Sequence, residues 1–321
     1  MSSLNLTLVF GVLVTFLSTI ACNDDDLQPE CEVLSPVADG WGRAYVEFIG
    51  QDYTMPEYNP VDPTEILLIK VDTTLVGNNS LLLYNREEQS IKEIFNGHIV
   101  SRPRWGKNGK IALNIKVNGD FGIYLIDSDG SNLQKISDWW NCHDPVWNVT
   151  GEMLMYYMGY LDHASYSAIQ TDASGILIDS IRYYTDESGD WCKDSLLVKV
   201  LPDGLYVLYE DSTEYHQLYE VEFSPSAHPG AQWIDDETVF WTHLTGVYLT
   251  NIITKETTQV RATCNSYSYL YADYSPLIDK IICSRDIGEN VSESKRSYIR
   301  EIVMMDPDGS NEEVLVIPDL E

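Results

Sequence analysis

Three histidines, His98, His143 and His228, stand 7, 4 and 5 residues before recurring aromatic positions. Neutral imidazoles ligate transition metals well. The three therefore form a candidate metal site, completed by carboxylate or water. Such a site would support metal-assisted lyase or hydrolase chemistry on a polysaccharide. A broader constellation mixes rings and polar groups: Trp139, Trp140, His143, Asp144, His163, Trp241, His243 and Tyr267. Aromatics stack on sugar rings or peptide side chains, and His and Asp supply directional hydrogen bonds. The stretch "DWWNCHDP" at 138–145 is the densest part. The set reads as a ligand-binding mouth, with no catalytic residue singled out and no cofactor implied. The alternative is structural: these segments make up much of the chain, and such residues gather there without a ligand.

Other chemistries are poorly represented. The chain has no G-x-S-x-G elbow, P-loop or dinucleotide fingerprint. No C-x-x-C pair marks a zinc or redox site. Fifty acidic residues offer many carboxylate pairs, but spacing singles out none for glycoside cleavage. Acidic residues outnumber basic ones 50 to 20, giving a net charge of −30. That surface repels phosphate backbones, so nucleic acid is excluded as a partner.

The elements that must hold these residues follow from an internal period. Trp105, Trp147, Trp191, Trp233 and Tyr274 each precede a turn and a new apolar run, at spacings of 42, 44, 42 and 41. One more step back reaches Val61. Six units of similar length then span 44–318. Within the unit anchored by Trp105, "KIALNIK", "FGIYLID" and "LQKIS" are short apolar runs separated by "VNGD" and "SDGSN". Such runs between Gly and Asx turns are strand and hairpin signals. Four strands per unit and six units predict an all-β, six-bladed β-propeller of four antiparallel strands per blade. Two loop classes then face opposite ways. The turns inside each first hairpin and the Asp-Gly turns share one face. The second-to-third strand loops and blade connections, which carry the candidate mouth, share the other.

The stretches "RPRWGKNGKIAL", "IYLIDSDGSNLQKIS" and "DPVWNVTGEMLMYY" resemble the TolB-type propeller repeat. The second, third and sixth units match by residue, the others by spacing and strand order. The resemblance implies an extracytoplasmic propeller that binds proteins or ligands. Propeller lyases with a His-ligated metal give the enzyme alternative.

Residues 1–21 are uncharged, with a nearly continuous apolar run at 8–17, the pattern of a signal peptide. "LSTIAC" leads into Cys22, followed by "NDDD". This resembles a surface-export lipoprotein signal of Bacteroidetes-type bacteria, with Cys22 as the lipidated residue. The alternative is an uncleaved signal anchor. The expected organisation is a signal peptide at 1–21, lipidated Cys22 with an acidic tether and lead-in at 22–43, and the propeller at 44–321. The implied location is the outer membrane, facing the exterior. The implied role is binding or scaffolding for a glycan or an envelope protein. Residues 42–50 are expected to complete the last blade or lengthen the first. Five cysteines remain after Cys22, and their pairing does not follow from sequence.

Asp-x-Asp-Gly-Ser-Asn occurs twice, at Asp127–Asn132 and Asp306–Asn311. A calcium loop would call for more acids and a bidentate Glu. A turn with Gly at positive φ is the expectation.

Overall fold

The computed structural model describes residues 45–48, 53–71, 79–137, 142–148, 150–159, 166–172, 174–183, 189–192, 196–201, 204–209, 216–220, 230–243, 246–262, 267–292 and 295–318. Strands follow one another in antiparallel meanders. A short lead-in strand, β1 (Tyr45–Phe48), comes first. Next run β2 (Tyr53–Tyr58), β3 (Glu65–Val71), β4 (Asn79–Asn85) and β5 (Ser90–Ile99). These continue into β6 (Arg104–Trp105), β7 (Lys110–Val117), β8 (Asp120–Asp127) and β9 (Gln134–Lys135). The third group is β10 (Cys142–Trp147), β11 (Met153–Gly159), β12 (Tyr166–Asp172) and β13 (Leu177–Tyr183). The fourth is β14 (Gly189–Cys192), β15 (Leu196–Leu201), β16 (Gly204–Tyr209) and β17 (His216–Glu220). The fifth is β18 (Gly230–Trp233), β19 (Thr238–His243), β20 (Gly246–Asn251) and β21 (Thr257–Ala262). The last is β22 (Tyr267–Ser275), β23 (Lys280–Ser292), β24 (Lys295–Met305) and β25 (Glu313–Val314).

The third, fourth and fifth groups are separate four-stranded sheets. Strands β2 to β9 form one eight-stranded sheet, joined where β5 pairs with β7 at His98–Lys116 and Ile99–Ile115. The last sheet has five strands, because β1 adds to β24 in parallel, Tyr45 opposite Lys295. The lead-in thus joins the last sheet rather than the first. Each first strand packs on the preceding group, and β2 packs on β22 and β23 of the last one.

Burial explains which residue goes where. Middle strands are covered on both faces, so β3, β7 and β8 each carry a continuous buried run. They show the unbroken apolar pattern of doubly buried strands. Ile66, Leu67 and Leu68 are completely buried, as are Ile111, Ala112 and Leu113. Each large aliphatic side chain so buried contributes about 1.5–3 kcal/mol. Outer strands are half-polar, as in β17 and β21. Cys142 and Cys283 are buried free thiols.

Both Asp-x-Asp-Gly-Ser-Asn segments are turns. The Asp127 N–H donates to the Ser131 carbonyl at 3.0 Å and the Gly130 N–H to the Asp127 carbonyl at 2.9 Å. Asp306, Ser310 and Gly309 repeat the pattern at 2.9 and 2.8 Å. The acids serve locally: Asn132 donates to Asp127, Asn311 to Asp306, and Lys110 and Lys280 pair with the same two carboxylates. These bonds hold Asp127 and Asp306 below the usual carboxylate range.

Candidate functional site

Tyr58, Trp105, Trp147 and Trp233 end the first strands of their groups, and the residue after each of these four donates its N–H across the following turn: Asn59 to Glu65, Gly106 to Lys110, Asn148 to Met153 and Ile234 to Thr238. This register makes Tyr58, not Val61, the anchor of the first unit. Tyr58 is buried, whereas Val61 lies in the turn and is 60% exposed. The first step is therefore longer than the others. Tyr58, Trp105, Trp147 and Tyr274 are all buried at the equivalent point.

The residue before the anchor carries polar chemistry. The Glu57 carboxylate accepts the Trp105 N–H at 2.8 Å. The Asp273 carboxylate accepts the Tyr58 N–H at 2.7 Å, and the Gln232 Oε1 accepts the Tyr274 N–H at 2.6 Å. In each case a side chain of one unit satisfies the backbone of the next. Trp147 closes a further link, its indole N–H donating to the Arg104 carbonyl at 3.1 Å.

A charged knot sits among these strands. Arg102 donates to the Pro56 and Ala272 carbonyls at 3.0 and 2.8 Å. Its guanidinium lies 3.2 Å from Glu57 and 3.5 Å from Asp273. Arg104 lies 3.3 Å from the other oxygen of Glu57. Local backbone shape makes room for this. Met55 and Tyr271 adopt positive φ, 54° and 53°, three residues before their anchors. Both sit at register shifts in β2 and β22. Burial pushes the Glu57 carboxyl up to about 7, with Asp273 adding to the rise and the two guanidiniums opposing it.

At the anchor end of these strands opens a cavity of about 180 Å³. Trp105, Trp147, Trp233 and Tyr274 line it, with Arg104 and Lys107 as the nearby cations. Pro60 and Pro276 border it, and the next residues along, Val61 and Leu277, are 60% and 55% exposed. It lies on the side of the first-hairpin turns, opposite the loops that sequence favoured.

The sequence candidates fare unevenly. Trp241 is a correction: it is fully buried in β19, stacked on Tyr248 at 4.4 Å and donating to Thr250 at 2.9 Å. β19 is covered on both faces, so this ring fills core and reaches no mouth. Asp144 is half-buried with φ 48°, at the same place in its strand as Met55 and Tyr271. Its charge and that of Asp286 act on the Tyr271 phenol, while Arg300 pairs with Asp286 at 2.6 and 2.8 Å. His98 lies in β5, its ring edge-on to Phe121 at 5.8 Å. His143, His243 and Tyr267 are placed by backbone alone, in β10, β19 and β22. Trp139, Trp140, His163, His228 and Cys22 lie outside the described residues. The metal trio is therefore not assembled by any described geometry. Glu57, Arg102, Arg104 and Asp273 were missed. Glu57, Arg104 and Asp273 each stand directly before an aromatic anchor, a signal that recurs along the chain, whereas Arg102 stands three residues before Trp105 and carries no such signal.

Solved structures supply the comparison. The β-propeller domain of the trilobed protease from Pyrococcus furiosus superposes with a TM-score of 0.54 at 13% identity, over 84% of this chain and 99% of that one. The fold is a β-propeller. TolB from Acinetobacter baumannii is similar at TM-score 0.50 and 12% identity, over 76% of this chain and 66% of that one. The acylaminoacyl peptidase of Pyrococcus horikoshii is similar at 0.52 and 14% identity, and the propeller spans about half, 52%, of its length. No family model and no curated protein matches the sequence.

Proposed function

We propose that this propeller is a non-catalytic binding protein of the bacterial envelope, held by lipid on Cys22, that engages a polypeptide partner at the anchor end of its channel. The observation that carries this reading is the aromatic cavity with Val61 and Leu277 exposed on the turns beside it. Apolar residues exposed next to a concave aromatic site are a common form of protein-binding surface. The architecture in this reading is six blades of four strands. Dividing the eight-stranded sheet between β5 and β7 supports it, because only two residue pairs join the halves and each half has its own anchor. The signal-like segment and the acidic run after Cys22 support export and surface display.

The test uses Val61→Asp and Leu277→Asp in the full chain. Both side chains are exposed, so the fold tolerates the changes. Envelope proteins captured by wild-type protein are purified and titrated back. Loss of binding by the variants with unchanged thermal unfolding supports the reading. Unchanged affinity removes it. Export is checked separately by metabolic labelling with a palmitate analogue, which Cys22→Ala must abolish.

A further inference from the structure

The last group of strands meets the first through two terminal segments. One is β1, through which the chain crosses from the last sheet into β2. It has four residues, paired in parallel with β24. Parallel pairing is slightly weaker per residue than antiparallel pairing. The other segment crosses in the opposite sense. The ladder of β25 ends at Val314, and the Leu315 N–H still donates to the Ile302 carbonyl at 2.8 Å. Beyond that point the chain lies against the first group. The Tyr84 hydroxyl donates to the Val316 carbonyl at 3.3 Å, and the Tyr53 hydroxyl to the Pro318 carbonyl at 3.4 Å. Leu315 and Ile317 pack on a core that Tyr53, Tyr58 and Ile66 of the first group share with Ile282 and Met304 of the last. Val316, between them, is 81% exposed. This is the in-and-out alternation of an extended segment.

The hold on residues 315–318 is slight. Both hydroxyl bonds are long for O–H donors. A net hydrogen bond in water contributes little, and a segment with few buried contacts opens while the sheets stay folded. Yet the segment closes a junction that runs through the cavity. Glu57, Tyr58 and Pro60 line the cavity from the first group, and Asp273, Tyr274 and Pro276 from the last. Deeper in the same junction, the Thr54 and Ser284 hydroxyls lie 3.4 Å apart.

We propose that residues 315–318 are a releasable strap. Seated, the strap holds the first and last groups together and fixes the width of the cavity. Released, it lets the two sides of the cavity part. The strap stands on these contacts alone, and its consequence for binding rests on the reading above that a partner engages this end of the channel.

Hydrogen exchange followed by mass spectrometry compares the wild-type full chain with the double variant Tyr53→Phe and Tyr84→Phe, which keeps both rings and removes both hydroxyls. Protection of β2 and β22 is expected to fall about fivefold or more, while that of β11 in the third group stays unchanged. Ile317→Asp, which unseats the strap by charging its packed side chain, is expected to act in the same direction. Val316→Asp, on the exposed side, is expected to change nothing. Unchanged protection of β2 and β22 overturns the proposal, as does an equal loss in β11, which marks general destabilisation. Affinity for the captured partner is expected to weaken in the strap variants. If Val61→Asp abolishes binding while strap variants loosened in exchange bind like wild type, the link from strap to cavity fails and the polypeptide reading stands. If Val61→Asp leaves binding unchanged, that reading fails, and exchange alone decides the strap.

Discussion

Asp273 accepts the backbone N–H of Tyr58 at 2.7 Å, across 215 residues of chain. One side chain thus ties the last sheet to the first. The same carboxylate faces Arg102, so it holds an anchor strand and a buried cation together. Asp273→Ala leaves an orphaned N–H and loosens the guanidinium. Breaking one partner of a buried charge pair costs about 3–5 kcal/mol. Asp273→Asn, which keeps an acceptor, is expected to cost less than half of that. Urea denaturation of both variants measures the difference, and equal losses would show that the backbone bond contributes nothing.

Glu57 gives a pH dependence of definite sign. Folding raises its pKa from an ordinary 4.5 to about 7. The folded state therefore holds a proton more tightly than the unfolded chain between those values. Stability from this group is full below the lower value and is lost as pH rises through the upper one. The expected loss is on the order of 1–3 kcal/mol. Glu57→Gln stays neutral throughout and keeps an acceptor for the Trp105 N–H. Its urea midpoint should vary less between pH 5 and pH 7.5 than that of wild type. A wild-type profile that rises over the same window as steeply as the variant's would contradict the assignment.

The Asp-Gly turns bind neighbouring units as well as reversing the chain. A Cβ on Gly130 would stand 2.7 Å from the Ile94 carbonyl oxygen, and one on Gly309 the same distance from that of Val260. Both oxygens belong to the outermost strand of the preceding group. Both glycines also hold positive φ, 90° and 82°. Gly109 is the control: its φ is 78°, but nothing lies within 4 Å of its added Cβ. Gly109→Ala should cost about 1 kcal/mol through φ alone. Gly130→Ala and Gly309→Ala should cost about 2–4 kcal/mol, because the backbone contact must also give. Thermal unfolding ranks the three.

What could be read in advance was whatever the repeat enforces. Large rings at Trp105, Trp147 and Tyr274 recur because every inner strand must end against its neighbour. The Asp-Gly turns recur because only glycine fits both the φ and the contact at Gly130 and Gly309. Val61 was mistaken for an anchor because the first step is longer than the rest, and spacing alone cannot locate a ring displaced by three residues. The places of Glu57, Arg104 and Asp273 directly before their anchors were visible, but the knot they form with Arg102 was not. It is assembled from three units at once, and no window of sequence contains it.

Trp241 separates core from site. Its ring is fully buried against Tyr248, with its N–H on Thr250, which in turn lies 2.9 Å from Thr257. Removing a buried tryptophan costs about 3–5 kcal/mol. Trp241→Ala should therefore lower the unfolding midpoint strongly. Trp241→Phe keeps most of the packing and loses only the bond to Thr250, a cost of about 1–3 kcal/mol. Because the ring touches no surface, folded Trp241→Phe protein should bind partner with wild-type affinity. Val61→Asp should show the reverse pattern, an unchanged midpoint and weakened binding. Calorimetry on both variants at a temperature well below unfolding makes the comparison. A Trp241→Phe protein that is folded yet deficient in binding would return this residue to the ligand site that its sequence context first indicated.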